Sequence, residues 1–235
     1  SNSAFGFYAL YQNTAINNSA FGYRSLYANT IGARNVAVGF GSLQTNTTGD
    51  KNTAVGYESL SSQTTGKANS ALGIRSLYSN VVGVANSAFG YYALYNNTTN
   101  NNSVFGYKAL NLNTNGVYNT AVGKSALQNN TIGSANSAFG LESLYSNTSG
   151  QFNTAVGFES LRQNATGGNN SAFGSYALRN NIAGGGNVAI GMGSLQTVNA
   201  NNNTSVGYSA LNANTANANS AFGYKSLFAN TTGTL

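Results

Sequence analysis

One glycine decides what this chain can fold into, because it returns every 16 or 17 residues. It stands at Gly6, Gly22, Gly39, Gly56, Gly73, Gly90, Gly106, Gly123, Gly140, Gly157, Gly174, Gly191, Gly207 and Gly223. Each closes a five-residue phrase, in most coils Asn-Ser-Ala-Phe-Gly or Asn-Thr-Ala-Val-Gly. A fixed period of that length marks a solenoid, in which each unit is one coil that buries its core only against its neighbours. Fourteen such coils fill residues 1–235 without a linker. The expected fold is therefore mainly all-β: a parallel β-solenoid or β-roll in a single continuous array. The chain opens at Ser1 without Met and stops at Leu235 after a complete unit, and reads as an excerpt of a longer fibre protein.

Positions are counted here from the repeat glycine as zero. Position −4 is Asn in all fourteen coils, −3 is Ser, Thr or Val, and −2 is Ala in twelve, with Val104 and Ser205 the exceptions. Position −1 is always apolar, +3 is Ala or Ser, +4 is always Leu, and +7 is Asn except at Gln63 and Val198. The stretch from −4 to −1 reads as a short strand ending at glycine. Strand alternation places −3 and −1 on one face and −2 on the other. The large −1 residues are expected in the core with the +4 leucines: Phe89, Leu94, Phe105, Leu110, Val122, Leu127, Phe139 and Leu144. The Ala column would then pack against another wall of the coil or against another chain.

After the glycine, either one tight helical turn or a second strand fits, the turn because +1 and +4 would share a face. Asn at +7 and Gly at +10 suit turn positions that need positive φ. The one-residue deletions, as between Gly90 and Gly106, fall in that turn. Stacked Asn at −4, such as Asn86, Asn102, Asn119 and Asn136, is expected to form a side-chain ladder along the stack. At about 4.8 Å per coil, fourteen coils predict a rod roughly 65–70 Å long.

Composition excludes several functions. Charged residues are 6% of the chain, and its ten Lys and Arg are scattered, against the clustering that nucleic-acid binding needs. With no Cys and no His, and four acids without a local constellation, neither nucleophilic nor general acid–base machinery assembles, so no enzyme and no cofactor is expected. Glu142 and Glu159 share one column near Arg162 and read as a solvated surface, while Asp50 lacks the acidic loop a calcium site requires. No apolar run reaches membrane-spanning length. The Asn46-Thr47-Thr48 sequon would carry sugar only in a host with that machinery.

Two large apolar side chains per coil make a thin core. Burying each contributes about 1.5–3 kcal/mol, while ordering each residue costs about 1–2 kcal/mol of backbone entropy. Association between copies would add burial, and threefold winding about an axis is one solution; the chain is expected to be a homo-oligomer, with a trimer favoured.

The phrases Asn35-Val36-Ala37-Val38-Gly39 and Asn187-Val188-Ala189-Ile190-Gly191 resemble the head repeats of trimeric autotransporter adhesins. The fuller unit Asn52-Thr53-Ala54-Val55-Gly56-Tyr57-Glu58-Ser59-Leu60 resembles repeats of phage tail-fibre-like and bacterial surface-fibre proteins. The resemblance covers the whole chain. It implies left-handed parallel β-rolls, three chains side by side, outside a cell or virion. Adhesin head coils are about 14 residues long, and these are longer.

A structural and adhesive fibre segment, shaft or head, is the expected function. Tyr91, Tyr92, Tyr95 and Tyr107 form a candidate surface patch for a carbohydrate or cell-surface receptor, against the plainer reading of rings that cover the Leu layer. The alternative is a single-chain solenoid that binds ice or carbohydrate through a repetitive face. Thr14, Thr30, Thr47, Thr64 and Thr98 share one column, but the neighbouring position varies too much for a two-rank Thr array. Finally, residues 35–45 return almost intact at 187–197, which reads as growth by duplication of blocks as well as single units, a process that sets length.

Overall fold

The structure, a computed structural model, describes residues 1–230. The chain divides into two compact units, residues 1–118 and a second that begins at Asn119. The first holds β1 (Ser3–Phe5), β2 (Ser19–Phe21), β3 (Val36–Val38), β4 (Thr53–Val55), β5 (Ser70–Leu72), β6 (Ser87–Phe89) and β7 (Ser103–Phe105). The second holds β8 (Thr120–Val122), β9 (Ser137–Phe139), β10 (Thr154–Val156), β11 (Ser171–Phe173), β12 (Val188–Ile190), β13 (Thr204–Val206) and β14 (Ser220–Phe222). Within each unit consecutive strands pair in parallel and in sequence order, with repeat positions in register, as Ala20↔Ala37 and Ala138↔Ala155. Both units are parallel β-solenoids, one strand per coil, and no helix occurs among the described residues.

The strand faces the opposite way from the sequence expectation. The −2 alanines are inside, with Ala37, Ala54, Ala121 and Ala155 all 0% exposed, and the wall they complete is that of their own coil. The +4 leucines share this interior; Leu94, Leu110, Leu127 and Leu144 are fully buried. The −1 residues point out: Phe105 is 45% and Phe139 41% exposed, and Phe89 and Val122 are half-buried. The physical reason is width. A coil closed in 16 or 17 residues has room for one large side chain per layer, and Leu takes it. Where Ser205 replaces Ala, its hydroxyl donates to Ala210 O (2.8 Å) and meets Ser194 Oγ at 2.7 Å, so the intruding polar group is satisfied.

The segment after the glycine is a pair of β-turns in place of a helical turn. In the coil of Gly140, Ser143 N–H donates to Gly140 O (3.4 Å) and Asn147 N–H to Leu144 O (3.1 Å). Between them Glu142 N–H reaches back to Lys124 O and Leu144 N–H forward to Ser160 O. This alternation needs left-handed backbone at +2 and +4, and all fourteen leucines have φ between 47° and 53°. A β-branched side chain is a genuine outlier there, which explains why a large apolar column is Leu throughout and never Ile or Val. Leu144→Ile is accordingly expected to destabilise by about 2–3 kcal/mol, since left-handed strain of ~1–2 kcal/mol adds to a swap that is otherwise mild. Leu144→Met should cost less than about 1.5 kcal/mol. Chemical denaturation of the two variants checks the order.

Positive φ does not fall on Asn at +7 or Gly at +10. Those residues are fixed by bonding and by space. The carbonyl of Gly150 points inward and accepts from Asn147 Nδ2 (3.0 Å) and Asn136 Nδ2 (2.9 Å). A Cβ on Gly150 would strike the carbonyl oxygen of Gly167 and Asn147 Oδ1. In the shortened coils an earlier residue supplies the inward carbonyl, as Thr99 O does for Asn86 (2.6 Å) and Asn97 (2.8 Å). One residue can be deleted there because the acceptor is backbone, which every residue carries.

Two buried Asn ladders follow. At −4, Asn153 N–H and Nδ2 both donate to Asn136 Oδ1, at 3.0 and 3.1 Å. The same column joins Asn102 N–H to Asn86 Oδ1 (3.0 Å) and Asn136 to Asn119 Oδ1 (3.0 Å). At +7, Asn147 Nδ2 donates to Asn130 Oδ1 (2.7 Å) and Asn164 Nδ2 to Asn147 Oδ1 (2.9 Å). Gln63 keeps the second ladder, bonding Gly66 O (3.0 Å) and accepting from Asn80 Nδ2 (3.2 Å). Val198 breaks it and leaves the buried Asn181 Oδ1 without a donor. Val198→Asn is therefore expected to stabilise the second unit by about 1 kcal/mol, the net worth of one restored bond. A rise in the urea midpoint would show it.

Candidate functional site

The turns that bury Leu send +1, +2 and +5 outward, and these columns carry most of the aromatic and charged groups. At +1 the rings lie one above the next: Tyr23 on Phe40 (5.1 Å), Phe40 on Tyr57 (5.2 Å) and Tyr91 on Tyr107 (5.3 Å), within 16° of parallel. At +5, Tyr11 stacks on Tyr27 (5.4 Å) and Tyr78 on Tyr95 (5.2 Å). Parallel strand spacing of about 4.8 Å brings equivalent rings into contact from coil to coil.

Tyr91, Tyr92, Tyr95 and Tyr107 come together in one cluster. Tyr92 lies 4.5 Å from Tyr91 and 4.9 Å from Tyr95, and Tyr107 covers the face of Tyr91. Arg75, Glu58 and Tyr78 complete it. Arg75 Nε donates to Glu58 Oε2 (2.7 Å), its Nη1 to Tyr92 Oη (2.8 Å), and its guanidinium lies over Tyr57, Tyr78 and Tyr92. Its hydrogen bond to Glu58, then that to Tyr92, pushes the Arg75 pKa up. Partial burial raises that of Tyr95. Sequence reading missed Arg75 and Glu58 as partners, although both sit at +2 one coil apart, where like positions must be neighbours. Stacking covers the Tyr91 face toward Tyr107, so the cluster offers a ligand ring edges and hydroxyls more than open faces.

The second unit carries a charged lane. Arg162 Nε donates to Glu142 Oε2 (2.7 Å) and lies 3.8 Å from Glu159, while Arg179 Nε donates to Glu159 Oε2 (2.6 Å). The Glu142 bond raises the Arg162 pKa. Each carboxylate is thus engaged by a guanidinium. Asp50 works as a turn tie: its Oδ1 accepts from Ala33 N–H (2.9 Å) and its Oδ2 pairs with Lys67 (3.3 Å). Asn100, Asn201 and Asn217, at the same position, accept from the N–H of Val84, Gly185 and Asn201 in the same way.

The Ala33 bond holds the Asp50 pKa below the usual carboxylate range. A depressed carboxyl stabilises above its unfolded pKa and loses that contribution as pH falls below about 4. Asp50→Asn should leave stability at pH 7 nearly unchanged, because Asn already fills this role, and should remove that acid-side loss. Thermal melts at pH 7 and pH 3 test both halves.

Thr hydroxyls of the +8 column are engaged by the next coil, as Thr30 Oγ1 on Thr47 O (3.0 Å) and Thr148 Oγ1 on Ala165 O (3.1 Å). Among the described residues no three His, Cys, Asp or Glu side chains gather to hold a metal, and no helix is long and apolar enough to cross a membrane. No family model, curated protein or solved structure matches the chain.

Proposed function

We propose that this chain is a segment of a structural and adhesive fibre, shaft or head, displayed outside a cell or virion and assembled from copies of itself. Three copies are the number the adhesin-head resemblance implies. One observation carries the reading: amides and apolar groups inside each coil are committed to the next coil, while outside lie long uncharged apolar lanes. Such a chain gains length by adding coils and meets its surroundings through a repeated surface. The Tyr91 cluster is the proposed receptor-facing patch, with hydroxyls on ring edges suited to a polyol or carbohydrate. The reading assigns the chain no catalysis. Immunogold labelling of intact cells or virions that make the protein tests it. Gold along projecting filaments is the expected result; label only after permeabilisation would overturn the extracellular assignment.

A further inference from the structure

The strand face that points outward is uncharged in every coil, and its two positions are matched in size. Eight strands carry Ser at −3, and all of these carry Phe or Leu at −1: β1, β2, β5, β6, β7, β9, β11 and β14. Six carry Thr or Val at −3, and all of these carry Val or Ile at −1: β3, β4, β8, β10, β12 and β13. Phe at −1 always sits with Ser at −3 and never with a β-branched residue; Ile190 beside Val188 in β12 is the one large −1 residue that does. On a face open to water nothing holds the combined volume of two side chains constant. Close packing against another surface does, because a methylene too many or too few is felt there.

We propose that this face is the surface through which copies of the chain associate side by side and parallel, the −1 lane of one copy seated on the −3 lane of the next. The proposal rests on the fibre reading and names its interface. About a twofold or a threefold axis along the stack, the −1 edge of one copy's strand meets the −3 edge of the next, so a large lane lies over a small one. Ser–Phe strands then meet as knob and hollow, and Thr–Val strands as two even surfaces. A partner must repeat at the coil spacing of about 4.8 Å to match every rung, and a second copy does so by construction. Seven strands of three residues present roughly 340 Å² of flat face per unit. The flat face of one unit is thus a little under half of the ~800 Å² per partner of a standard interface.

Light scattering on the separated protein reads the mass against 24.2 kDa for one chain. Phe139→Lys and Ser137→Phe are expected to reduce an oligomer to single chains with circular dichroism unchanged, and Tyr208→Lys, on the +1 column, to leave the mass as it is. A wild type of one chain at every concentration would overturn both the interface and the self-association. An oligomer that survives Phe139→Lys but not Tyr208→Lys would overturn the interface alone. Orientation is read by disulfide trapping, which has no background because the chain lacks Cys. Oxidising a mixture of Ser137→Cys and Phe139→Cys chains should give the mixed disulfide in excess. Predominant like-with-like disulfides would overturn the lane pairing even if a substitution had disturbed folding.

Discussion

Alanine in place of Gly140 is expected to destabilise the second unit by about 4 kcal/mol, enough to open the coils around it at moderate urea. Two costs combine. The glycine has φ +133°, a conformation that side chains rarely adopt, worth on the order of 1–3 kcal/mol. A Cβ would also lie 2.5 Å from Gly157 O and 2.8 Å from Gly157 C, backbone atoms of the next coil. Backbone cannot turn aside as a side chain can, and overpacking adds about 1–3 kcal/mol. Gly41→Ala is the control. Gly41 has φ +61°, yet Glu58 and Arg75 occupy the same column with φ 51°, and its nearest obstacle is the mobile end of Gln44 at 3.1 Å. Urea unfolding should separate the two variants by several-fold in lost stability. Equal losses would mean that coils do not approach through their glycines.

The second large effect is expected from Asn153→Asp, a change of one atom pair. Asn153 Nδ2 donates to Gly167 O (2.8 Å) and Asn136 Oδ1 (3.1 Å), and its Oδ1 accepts from Asn170 N–H (3.0 Å) and Nδ2 (3.1 Å). A carboxylate keeps the acceptor and loses both donations, leaving oxygen facing oxygen in a site with no exposure. A loss of about 3–5 kcal/mol at neutral pH follows, as for a buried charge without a partner. Burial raises the folded pKa of the new acid above its unfolded value near 3.9, so the variant should regain stability as pH falls toward about 4. That is the reverse of ordinary acid denaturation. Melts at pH 7 and pH 4 would reveal it, and a pH-independent loss would show that the ladder site is wet.

The solenoid was legible because its defining contacts join like positions, so a column in the sequence is a contact in space. Asn at −4 and Leu at +4 are plain for that reason. The sign of the strand was not legible. Phe89 and Phe139 are large and apolar, and size alone argues for burial, but available width depends on how tightly sixteen or seventeen residues close. That is a property of the two turns. A signal for those turns was present and subtle: no Val, Ile or Thr occurs at +2 or +4 in any coil. Exclusion of β-branched residues from a column means left-handed backbone. Arg75, Glu58 and Tyr92 were equally readable as neighbours, since all stand at +2 in consecutive coils. What the columns could not reveal was how a guanidinium spends its donors, which depends on side-chain rotamers.

The Asn ladders are also electrically directional. In both columns the later coil donates and the earlier coil accepts, as Asn164 to Asn147 and Asn153 to Asn136, with no reversal between them. Strand hydrogen bonds run both ways along the stack, Thr154 N–H forward to Asn170 O and Gly157 N–H back to Phe139 O, and their dipoles oppose. The amide side chains of each ladder add head to tail, as peptide units do in a helix. Each further coil lengthens two aligned chains of dipoles whose members polarise one another. The negative pole of each ladder lies toward the carboxyl-terminal end of the unit, so copies set parallel align these poles and copies set antiparallel cancel them.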